Sequence, residues 1–261
     1  MTNETKAKII VSIALIAVII MSFVGPVSQD PEYHEFADQR VMLSIPNFWN
    51  VVTNVPFVVI GVMGVLLLGS GKAPGGLPEL KLIYFLFFLG ILATGFSSAY
   101  YHINPGNETL VADRVAMTVV FMAFFSAIVG EHISPDLGRK LVWPLIVLGI
   151  FSVLYWIETE KGGHGDLRLY GVVQYLPMLL IPVILLLYRS KLTPVSYIWG
   201  VLAAYMVSKA AEVLDQPIYA TLKIISGHSV KHLVAAFGTL IFYAALSRRS
   251  RPDHRRPEAR S

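Results

Sequence analysis

"LIYFLFFLGILATGFSSAYYH", Leu82 to His102, decides the fold. Its apolar part, Leu82–Tyr101, contains no charged residue and has the length an α-helix needs to cross a bilayer, roughly 20 residues. It ends in "SSAYYH", where Ser98 and His102 stand one helical turn apart. Seven further stretches of this kind predict spans at approximately Ile9–Val27, Phe48–Leu68, Leu110–Gly130, Leu141–Ile157, Tyr170–Leu187, Val195–Leu214 and Ser229–Leu246. Turn-rich breaks such as "SGKAPGGLP", "NPGNE", "EKGGHGD" and "DQPIY" separate them. Composition agrees: 15% of the 261 residues are charged, where a soluble domain carries about 25%, and mean hydropathy is +0.62. The fold class read from the sequence is all-α, a polytopic membrane bundle with no internal repeat and no soluble domain.

Lys6 and Lys8 precede the first apolar run as they would in a signal peptide. "FVGPVSQ" is a poor cleavage site, however, so this span is expected to stay as an uncleaved helix. Loop charges set the orientation. With the N-terminus inside, the inner side holds Lys6, Lys8, Lys72, Lys81, Arg139, Lys140, Arg189, Lys191 and the tail arginines. The outer side then holds only Arg40, Lys161, Arg168 and Lys223. The positive-inside rule therefore predicts a multi-pass protein of the cell membrane with both termini in the cytoplasm. The chain divides into an N-terminal anchor (1–29), a membrane domain (30–247) and a basic tail (248–261). That tail, "RRSRPDHRRPEARS", carries much of the basic excess behind the +4 net charge. It reads as a solvated cytoplasmic tail, with no nucleic acid as partner.

The chain has no cysteine. This excludes disulfides, thiolate metal sites and cysteine nucleophiles, and leaves His, Asp and Glu as metal ligands. His102 ends the third span, with Ser98 one turn before it. Asp113 opens the fourth in "VADRVAM", and His228 and His232 open the eighth in "SGHSVKHLVAAFG" (Ser226–Gly238). Because consecutive spans alternate in direction, these five residues converge at one depth near the outer face. Residues four apart share a helix face, so His228 and His232 can face one ion, and His102 can supply a third nitrogen. Three histidines with one open position describe a catalytic zinc site, although iron, nickel or copper also accept such a set. Zinc would lower the pKa of water to about 7, with Asp113 as general acid or base and Ser98 as oxyanion donor. The plainer alternatives are an HxxxH pair that ties two helices together, a small packing serine and an acid favoured by the helix dipole. Ionisable residues within spans are costly and mark function, which favours the metal site.

Lys209, Glu212 and Asp215 recur every three residues at the end of the seventh span and read as an ion-paired group that shapes the pocket. Lys231 is expected to point away from the two histidines, snorkelling outward or meeting Glu212 or Asp215. Trp49, Trp156, Tyr100 and Tyr101 fall near span ends and read as an aromatic belt.

At these residues the chain resembles the alkaline ceramidase family, within a superfamily of seven-helix membrane hydrolases that includes adiponectin-type receptors. The resemblance rests on Ser98-x-x-x-His102, Asp113 in "DRVAM", His228-x-x-x-His232 and "PNFWNVVTNVPF" (Pro46–Phe57), and covers Phe48 to Leu246. It implies a seven-helix core to which the N-terminal span is an addition. It also implies Zn2+ on His102, His228 and His232, with Asp113 and Ser98 assisting hydrolysis of ceramide or another N-acyl lipid taken from the bilayer. The family's eukaryotic members share a Ca2+ site before the first core helix. Here "DPEYHEFADQRVMLSIPN" offers Glu35, Asp38 and Asn47 as oxygen donors. Asn47 stands where the family has an acid, and Arg40 adds a cation, so the alternative is that the loop's acids pair with Arg40. Two other functions suit the same residues: a receptor or lipid-binding protein keeping zinc for structure, and an ester or phospholipid hydrolase.

Overall fold

The structure is a computed structural model that describes residues 1–251; the remainder of the predicted basic tail lies outside the described residues. Ten α-helices make up the described chain: α1 (Asn3–Phe23), α2 (Phe48–Val52), α3 (Val55–Gly69), α4 (Lys81–Ile103), α5 (Asn107–His132), α6 (Pro135–Lys161), α7 (Arg168–Leu187), α8 (Ser196–Val213), α9 (Asp215–Leu222) and α10 (Gly227–Arg248). Seven spans, with α2 and α3 taken together as one, are long and apolar enough to cross a membrane. The seventh predicted span, α8, qualifies only when joined to α9, from which it is bent by 77° at Leu214. Lys209 and Glu212 make its last turns polar, and the chain turns aside there instead of continuing straight.

The first core span is also interrupted. Pro56 has no N–H to offer the turn before it, and the helix breaks at Thr53 and Asn54. Asn50, Thr53 and Asn54 are all buried, so this break places polar side chains inside the bundle. α5 is the central helix, packed on α4, α6 and α7, while α10 lies against α8 and α3. α3 and α4 approach so closely that a Cβ on Gly61 would sit 2.7 Å from Leu92 Cα. Phe87, Phe88, Phe124 and Phe242 fill the middle of the bundle, with Phe87 and Phe242 ring centres 4.8 Å apart. α1 packs against α7 and buries none of its own residues, which leaves its apolar surface for lipid.

At the ends of α5 and α10 remote from Asp113 and His228, the tail reading needs correction. Arg249 is buried and forms a two-pronged pair with Glu131, at 2.7 Å on both oxygens. Tyr84 also donates to Glu131, at 2.8 Å. Ser250 pairs its backbone with Thr193 in both directions. The first residues of the expected solvated tail therefore belong to the packed structure, because a buried carboxylate on α5 requires their charge.

Candidate metal centre

His102 lies in the last turn of α4, and His228 and His232 lie on the first turns of α10. Two caps fix the start of α10. Ser226 accepts the Ser229 N–H, and Asp215 Oδ1 accepts the His228 N–H at 2.6 Å. Between them only a glycine fits at 227, since a Cβ there would stand 2.7 Å from Asp215 Cα. The three imidazoles are buried, and their ring centres form a triangle with every side 4.9 Å. Among the described residues they are the one group of three histidines or acids whose ligand atoms are close enough to hold a metal ion.

The tautomer of His232 follows from its neighbour. Thr53 spends its hydroxyl proton on Trp49 O at 2.6 Å, so toward His232 Nδ1, 3.0 Å away, it can only accept. His232 therefore carries its proton on Nδ1 and leaves Nε2 with a free lone pair. That nitrogen faces His102 Nε2 at 3.3 Å. Two ligand nitrogens at tetrahedral positions on bonds of about 2.0–2.1 Å stand about 3.4 Å apart. The residues present thus fit a zinc-sized cation.

His228 and His232 open onto a cavity of about 330 Å³ that Ser98 and Asp113 also line. The five residues predicted to converge lie at one end of the bundle, as alternating spans require; His102 stands behind the cavity wall. Asp113 is buried and its Oδ1 has no partner. Lys209 and Lys231 both pair with Glu212, and all three line the cavity. Lys231 meets Glu212 as expected, but it does not point away from the histidines, its Nζ lying 2.9 Å from His228 Nε2. Asp215 does not line the cavity; beyond capping α10, its Oδ2 accepts the Ala37 N–H at 3.0 Å.

Ala37 belongs to the segment joining α1 to α2, which covers this end of the bundle. Phe36 is buried against His102 and His228, with ring centres 4.7 and 4.8 Å away. The three residues considered for Ca2+ are differently engaged. Glu35 is exposed, Asn47 donates to His102 O, and both Asp38 oxygens are taken by Arg40, at 2.6 and 2.8 Å. Burial opposes ionisation of Asp38, but the hydrogen bonds and charge of Arg40 outweigh it and hold the carboxyl below its ordinary value. The acid–arginine alternative is what this loop contains.

The sequence reading passed over several residues that support the site. Asn50, Thr53 and Asn54, polar within an apolar span, were a legible signal. Phe36 gave no signal. Trp156 and Tyr101, assigned to an aromatic belt, are buried instead. Arg114, next to Asp113, is buried with its guanidinium 4.1 Å from the Trp156 ring centre.

In comparison with known families, the family model described as Ceramidase matches residues 37–246. No curated protein matches the chain.

Proposed function

The chain belongs to the ceramidase family, and on that premise we propose a zinc-dependent membrane hydrolase that cleaves the amide of ceramide or a related N-acyl lipid to a fatty acid and an amine. The observation that carries this reading is the buried histidine triad beside an apolar cavity, with Asp113 and Ser98 lining the same space. His102, His228 and His232 would hold the zinc. When bound, the ion supplies a Lewis acid for the amide carbonyl and lowers the pKa of water to about 7. Asp113 accepts the proton of the attacking water and delivers it to the leaving nitrogen. Ser98 donates a hydrogen bond to the developing oxyanion. Phe87, Phe124 and Met178, farther along the cavity, receive the acyl chain and keep water from it. The loop charges support cytoplasmic termini and a site near the outer face of the cell membrane, which substrate reaches sideways from the outer leaflet.

The test is metal analysis by mass spectrometry on detergent-purified protein, beside a His228→Ala/His232→Ala double variant, with fatty-acid release measured on N-acyl lipids. About one zinc per chain, absent from the double variant, with many turnovers per protein, is the expected result. No metal after zinc is offered, or metal without turnover, overturns the reading.

A further inference from the structure

Arg114 is a buried cation with no carboxylate paired to it among the described residues. It is 5% exposed and lines the cavity. Its guanidinium lies against three aromatic rings, with centres at 4.1 Å (Trp156), 4.8 Å (Tyr170) and 5.7 Å (Tyr33). Nη2 donates to the neutral Gln29 Oε1 at 2.5 Å, and Nη1 is buried with no hydrogen-bond partner. Among the described residues no carboxylate forms an ion pair with it. A guanidinium stays ionised in any protein environment. Aromatic faces return only part of what it loses on leaving water, and an unpaired buried charge is costly.

The other charges of the cavity do not remove the imbalance. Its lining holds three cations, Arg114, Lys209 and Lys231, against two acids, Asp113 and Glu212. Both lysines are committed to Glu212. Asp113 leaves Oδ1 unpartnered rather than turning it to Arg114. The cavity is thus cationic before any metal is counted, since two lysines share one glutamate and Arg114 has no carboxylate paired to it.

We propose that the cavity takes an N-acyl lipid whose amine portion carries an acidic group, and that Arg114 receives that group. This rests on the hydrolase reading and narrows its substrate class. Geometry places the acid on the amine side. Arg114 stands with Gln29 and Tyr33 at the triad end, whereas Phe124 and Met178 line the part farther along α5 and α7. An amphiphile with its tail among those apolar residues and its amide beside the histidines turns its amine substituent toward the guanidinium. A neutral headgroup brings only hydroxyl acceptors; a carboxylate or phosphate brings paired oxygens that match the fork and cancel the charge.

The experiment compares two lipids that differ at one group: N-palmitoylserine, with a carboxylate, and N-palmitoylserinol, with a hydroxymethyl in its place. Equilibrium binding to detergent-purified protein is followed by tryptophan fluorescence, Trp156 being in contact with Arg114. The wild type should bind the acid about tenfold more tightly. Arg114→Gln should bring the ratio of the two affinities near one, and Arg114→Lys should restore part of it. Equal affinities in the wild type, binding of neither lipid, or a preference that survives in Arg114→Gln overturns the proposal. The wild-type comparison decides even where a variant fails to fold. Binding needs no turnover: preferential binding without hydrolysis refutes the hydrolase reading alone, while hydrolysis without preference refutes only the acidic headgroup.

Discussion

Glu131 and Arg249, 118 residues apart in sequence, clasp each other through two hydrogen bonds with both side chains fully buried. The pair closes the end of the bundle remote from the histidines. Removing one member leaves the other charge in place without compensation, which costs roughly 3–5 kcal/mol. Glu131→Gln should therefore lower the Tm in detergent sharply. A Glu131→Leu/Arg249→Met double variant should recover most of the loss, because an apolar pair needs no counter-ion. A single variant as stable as wild type would show that the clasp carries no weight.

Thr53 holds His232 in the tautomer that leaves Nε2 free. Thr53→Val keeps the side-chain shape and removes the acceptor. Metal affinity should fall by about 10–100-fold while all three histidines remain. Competition with a chelator measures it, and an unchanged affinity would show that the tautomer needs no such support.

Asp215 joins one of the three clustered histidines to the covering segment, through the His228 and Ala37 amides. Asp215→Ala should both weaken metal binding and expose the Tyr33–Arg40 stretch to protease. Asp215→Asn keeps one acceptor oxygen and should show the smaller effect. Metal loss without new cleavage would separate the two roles.

Asp38 gives the covering segment an acid dependence. Its folded pKa is depressed below the ordinary value of 3.8. The stabilisation is therefore complete above that value and disappears as pH falls through the lower folded pKa. Protease sensitivity of this segment should rise below about pH 4 in the wild type. Asp38→Asn should be sensitive already at neutral pH and should show little further change on acidification.

Much of the bundle was legible because lipid imposes a single rule, that backbone groups must be satisfied within each span. Apolar length then gave the helices, and alternation of direction brought His102, Asp113 and His228 to one end. Details that depend on local competition were not legible. The bend at Leu214 arises where Lys209 and Glu212 end the apolar stretch, and length alone could not place it. Arg249 was misread because a basic run near a terminus resembles a solvated tail; its partner, Glu131, lies in a distant helix. Asp215 shared the spacing of Lys209 and Glu212 but not their direction, since the turn into α9 rotates it toward α10. Phe36 covers the histidines through a loop whose path no periodicity encodes.

α1 packs against α7, one of the helices that line the cavity, and it also bears on the site through chain statistics. Just beyond it, Val24, Val27 and Ser28 are hydrogen-bonded to Arg168, Leu167 and Gly165, and the Gln29 amide to Glu160. The stretch carrying Phe36 therefore starts from a fixed point, and Ala37 fixes it again at Asp215. The entropy lost on closing a segment grows with the logarithm of its free length. Pinned twice, this one closes as a short loop; freed from its contacts with Arg168, Leu167, Gly165 and Glu160, it would have far more conformations to surrender. By carrying the chain to that first pin, the N-terminal helix acts on the histidine cluster as a tether, limiting where the chain can wander.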